Sequence, residues 1–169
     1  MKDSFENIAI HDFPALEEVS FLPVEKKYLK VLILSTFFVF LILFLVLYLV
    51  DFYQLVSNQE VINYAYILLS VVFIYSATII IVGFKKRKYL VRERDISYKK
   101  GVFFRKITTV PFQRIQHIEI DQGPVSRFFN LVSISIYTAG DSSDDLKIKG
   151  LDANKASQIK EFITQKIDA

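Results

Sequence analysis

Apolar residues fill two uninterrupted runs, 31–50 and 61–84, and neither contains Asp, Glu, Lys, Arg or Pro. Each run reaches the roughly 20 residues that carry a helix across about 30 Å of hydrocarbon, so the pattern predicts two membrane-spanning helices. A soluble helix shows one apolar stripe. These runs are apolar on every side, and a chain of 169 residues has too little else to wrap them. A cleaved signal peptide fits poorly, because the run is too long, starts too late and is followed by no small-residue cleavage site. Residues 51–60 between the runs leave room only for a tight hairpin.

After residue 88 the period changes from helical to alternating. Strands are predicted at 89–94, 96–100, 103–110, 115–120, 131–138 and 146–150, with turns at Gly101, at Gly123-Pro124 and over 140–145. In the best of them Val132, Ile134 and Ile136 share one face, while Ser133, Ser135 and Tyr137 share the other. From Asp152, a suitable N-cap, the period returns to helical, with Ala156, Ile159, Phe162, Ile163 and Ile167 at three- and four-residue spacing. The expectation is an α+β membrane protein: a two-helix hairpin, then a bent antiparallel sheet of about seven strands capped by a C-terminal helix. Residues 1–25 carry scattered acids, Pro14 and Pro23 without a sustained period, and read as a loosely docked acidic tail in which 13–22 is at most a short interfacial piece. The predicted units are thus 1–25, 26–88 and 89–169.

Charge sets the orientation. Lys26, Lys27 and Lys30 precede the first run and Lys85, Lys86, Arg87 and Lys88 follow the second, whereas the hairpin loop holds Asp51 and Glu60 and no cation. Both ends are therefore expected in the cytoplasm. Residues 1–84 sum to −4 and residues 85–169 to +7, giving the chain its +3. The positive excess gathers just after the second run. Cysteine is absent, which excludes disulfides, thiolate metal sites and a cysteine nucleophile.

Catalytic patterns are absent too: the chain has no GxSxG, no P-loop, no GxGxxG and no HExxH. His11 and His117 stand without clustered partners, and the spacing of Asp141, Asp144 and Asp145 does not match a calcium loop, so no metal or cofactor is expected. Asn63, Ser70 and Ala77 recur every seven residues along the second run, where helix packing explains them better than a transport path.

The run 89–101, then Val110-Pro111-Phe112-Gln113-Arg114-Ile115-Gln116, Gly123-Pro124 with Arg127, and Tyr137-Thr138-Ala139-Gly140 stand in this order along the chain. Together they resemble the membrane-flanked bacterial pleckstrin-homology (PH) proteins of the YdbS-like type. Asn130 departs from the pattern, standing where a glycine is expected; Asn tolerates positive φ, so the turn is expected to survive. The resemblance implies a PH-like fold in a non-enzymatic protein of the bacterial inner membrane. It also implies a partner, either a larger relative with several such domains or a second copy, and an association with resistance to membrane-active antimicrobials.

The sharpest site hypothesis is electrostatic. Arg92, Arg94, Lys99, Lys100, Arg105 and Lys106 fall on the first hairpins of a PH-like sheet, where such folds elsewhere hold phosphate-bearing headgroups, and mark a candidate anionic-lipid site. Arg114, Arg127, Phe128 and Phe129 mark a candidate interface, because two adjacent rings in a helical turn lie about 100° apart and cannot both face the core. Nucleic acid is not an expected partner, since the basic stretch lacks an aromatic stacking platform. The expected work is scaffolding of a membrane partner, with lipid-headgroup reception and membership of an export or permeation complex as alternatives.

Overall fold

The computed structural model describes residues 20–139 and 145–167. His11, most of the acidic tail and the Asp141–Asp144 turn lie outside them. Two long helices, α1 (Lys27–Phe52) and α2 (Gln59–Lys85), form an antiparallel hairpin. Asn58 caps α2 by accepting a hydrogen bond from the Glu60 amide at 3.0 Å. Ring contacts join the helices, Phe40 with Phe73 and Phe44 with Tyr66, and Ala77 lines a groove between them. Nearly all the remaining surface of both helices is apolar and uncovered.

Among the described residues seven strands build two sheets. The first has the order β1 (Leu22–Pro23), β2 (Lys88–Val91), β3 (Asp95–Lys100), β4 (Lys106–Pro111); the second has β5 (Ile115–Asp121), β6 (Leu131–Thr138), β7 (Leu146–Asp152). All neighbours are antiparallel. A short helix α3 (Pro124–Phe128) links β5 to β6, with Pro124 at its first position. The C-terminal helix α4 (Ala153–Ile167) starts where Asp152 accepts from the Asn154 amide, and buries Ala156, Ile159 and Ile163.

Three features differ from the sequence reading. Among the described residues six strands run from residue 88 onward, matching the six segments expected there, but a seventh, β1, precedes the first long helix. The whole hairpin is therefore the connection between β1 and β2. The core also crosses the boundaries drawn at residues 25 and 88, because Val24, Tyr28 and Val31 are buried together with Tyr98, Ile134, Leu151 and Ile163. Thirdly, the strand expected from Phe103 begins only at Lys106. Gly101 takes φ +116° and would clash with the Phe104 carbonyl if it carried a Cβ, so residues 101–105 form a tight loop. Asn130 does adopt φ 54°, as the turn requires.

Candidate functional site

The junction of hairpin and sheets is held by side chains from both. Gly150 is the extra residue of a bulge in β7 (Val132 pairs with Leu151, Ser133 with Lys149) and has φ +83°. The Tyr28 ring occupies the space a Cβ there would need, and the Glu25 amide donates to the Gly150 carbonyl at 2.9 Å. From just past the end of α2, Arg87 donates to the Tyr28 hydroxyl at 3.5 Å and its guanidinium stands 5.7 Å from that ring's centre. Tyr98 completes the cluster. Its burial pushes the phenol above its ordinary value, against the smaller opposing pull of Arg87. The start of α1 and the end of α2 are thus bolted to the domain.

Beside this joint lies a cavity of about 240 Å³ lined by Lys85, Lys86, Lys88, Lys99, Lys100, Gly101 and Arg105. Its six side chains are all cationic. Pairing of β2 with β3 sets Lys88 opposite Lys99, and pairing of β3 with β4 sets Lys100 opposite Lys106. Like charges facing each other across strands are destabilising. Among the described residues no carboxylate lies within ion-pair distance of any of them. Lys99 and Lys100 instead stand 5.9 and 6.0 Å from the Phe21 and Tyr98 rings.

The six cations expected to act together are therefore divided. Lys99, Lys100 and Arg105 line the cavity and Lys106 adjoins it. Arg92 and Arg94 sit at the β2–β3 turn, the far end of β3, roughly 17 Å of strand away. There Arg92 makes a two-pronged pair with Asp95, both bonds 2.7 Å, and Arg94 lines a mixed-charge cleft with Glu93, Asp95 and Lys166. Lys85, Lys86 and Lys88, read from the sequence as topology signals, also line the cavity. Only the pairing register could reveal this, and the register hangs on where the 101–105 loop bends.

The candidate interface divides as well. Arg127, Phe128 and Phe129 belong to α3 and its end, whereas Arg114 lies at the opposite end of β6, whose eight residues span roughly 23 Å. Phe128 is 88% exposed, while Phe129 enters an apolar groove of about 340 Å³ between the long helices with Lys30, Ile33, Phe37, Phe73 and Ala77. One ring points out and one in, as the helical turn demands. His117 stacks on Tyr137 at 4.2 Å, with Glu119 3.6 Å from its Nε2. Among the described residues no three His, Cys, Asp or Glu side chains gather as metal ligands.

A four-stranded and a three-stranded antiparallel sheet closed by a C-terminal helix, with an apolar helical hairpin fused into the first sheet, define a membrane-associated PH-like protein. The chain belongs to the bacterial PH domain family, whose profile matches residues 29–167. It is similar to two UPF0699 transmembrane proteins of Bacillus subtilis (strain 168). With YdbS it shares 30% identity over 78 residues, 46% of this chain and 47% of that one. With YdbT it shares 28% over 111 residues, 65% of this chain and 22% of that one. The chain thus spans less than half the length of either relative. No solved structure matches it.

Proposed function

We propose that this protein is a non-enzymatic module that spans the inner membrane twice, with both ends cytoplasmic, and reads anionic lipid through the cavity beside its second span. The carrying observation is the cation cluster itself. Two like-charged cross-strand pairs and six cationic walls with no carboxylate within ion-pair distance among the described residues make a site that an anion would stabilise. The cavity opens at the end of α2, where phosphate headgroups of the cytoplasmic leaflet would lie, and each cation there is worth roughly 1 kcal/mol against an anionic surface. Phosphatidylglycerol and cardiolipin supply that chemistry. The test uses the full chain in lipid nanodiscs. Adding phosphatidylglycerol to phosphatidylcholine raises the melting temperature, salt weakens the rise, and combined Lys99→Gln, Lys100→Gln and Arg105→Gln removes most of it. An unchanged rise in the triple variant excludes the cavity.

The second reading is a scaffold that presents a rigid domain to a membrane-protein partner. It rests on the joint around Tyr28, Arg87 and Gly150, which fixes the domain to its spans. A larger relative of the YdbT kind, or a second copy, is the expected partner. A contribution to envelope defence would follow from either reading.

A further inference from the structure

The 101–105 loop between β3 and β4 carries two of the most exposed large apolar side chains in the described residues: Phe103 is 73% and Phe104 90% exposed. Polar loops of soluble domains hide such rings or do without them. This loop is neither free nor remote. Val102 packs on the bare backbone of Gly83, where an added Cβ would stand 3.0 Å from the Val102 methyl. Gly83 precedes Lys85 by two residues, about 3 Å along the helix axis, so the loop root lies level with the last turn of the apolar run. The Gly101 turn aims the tip, and the six-cation cavity adjoins it through Gly101 and Arg105. Phe128, on the α3 side where Phe129 plugs the groove between the helices, is a third bare ring close to the same helical hairpin.

We infer that the 101–105 loop is a membrane wedge: Phe103 and Phe104 enter the acyl region of the cytoplasmic leaflet beside α2. The domain is then held to the bilayer at a second place besides its spans. Aromatic rings favour the interface, and the adjoining cations would sit among the headgroups while the rings reach below them. The occupant is lipid rather than protein, because the loop is rooted on a residue of the apolar run and ringed by cations. The wedge rests on the reading that α2 crosses the bilayer. It does not depend on the cavity preferring anionic lipid.

The chain contains no Trp, so a single introduced indole reports alone. The full chain carrying Phe104→Trp, with Phe103→Trp as a second reporter, is reconstituted in phosphatidylcholine vesicles with and without bromine on the acyl chains. Val72→Trp, in the middle of α2, serves as the reference. Blue-shifted emission strongly quenched by acyl bromine at both loop positions, as at Val72, is the expected result. Quenching at Val72 with solvent-like, unquenched emission from the loop overturns the wedge and leaves the span intact. Blue-shifted but unquenched loop emission places the rings in a contact between copies, and also overturns it. Absence of quenching at Val72 defeats the spanning reading and the wedge together. The vesicles are zwitterionic, so loss of the lipid preference in the cavity variant is a separate outcome.

Discussion

At the scale of single residues, the joint depends on one missing side chain. Gly150 satisfies two demands at once, a backbone φ of +83° and room for the Tyr28 ring. An L-residue there meets roughly 1–2 kcal/mol of backbone strain and a further 1–3 of overpacking. The Gly150→Ala chain in detergent is therefore expected to lose about 3 kcal/mol in denaturant melts, whereas the same substitution made in a Tyr28→Ala background should cost only the strain part, about 1–2 kcal/mol. Equal costs in the two backgrounds would show that Tyr28 does not press on this site. Asn130 makes the complementary case. Its positive φ was legible from the sequence because Asn is among the few residues that tolerate it, whereas nothing in the local sequence pairs Gly150 with a tyrosine 122 positions earlier.

Elements were legible to the degree that their packing is local. Both long helices follow from the length of their apolar runs, and the alternation of β6 and the stripe of α4 from periods of 2 and 3.6; the structure shows all of them. β1 was not legible, because two residues, Leu22 and Pro23, have no period at all; they are a strand only because β2 offers an edge. The 101–105 loop was missed for another reason. Phe103 and Phe104 have strand-like character, and burial is the usual fate of such rings; only the backbone shows them left outside. α3 turns the same ambiguity into a measurement. Phe128→Ala should leave the melting of the full chain within about 0.5 kcal/mol, since the ring is uncovered, whereas Phe129→Ala should cost about 2–4 kcal/mol through loss of its seat between the helices. Equal losses would mean that Phe128 is covered too.

Across the whole molecule, anchor and domain are one packing unit. A fragment starting at residue 89 lacks β1 and the buried Val24, Tyr28 and Val31, so it should be much less stable than its strand content suggests, with exposed apolar surface that binds ANS. Joining residues 20–31 to 84–169 through a short Gly/Ser linker restores those groups, because neighbouring antiparallel helices lie only about 8–10 Å apart. That soluble chain should unfold cooperatively, and the 89–169 fragment should not. Cooperative unfolding of the fragment alone would show that the first 31 residues are dispensable for the core.

The position of β1 also dictates an order of assembly. A ribosome makes Leu22–Pro23 before either long helix and Lys88–Val91 only after both, so on the proposed reading that the hairpin spans the bilayer the first sheet stays unfinished while the hairpin is being inserted. Closing a free loop of some sixty residues costs about 4 kcal/mol in chain entropy. Two helices already paired in the bilayer bring the strands together and remove most of that cost. Insertion then acts as a chaperone for the domain, and a chain stranded outside the membrane would fail in its sheet as well as in its anchor.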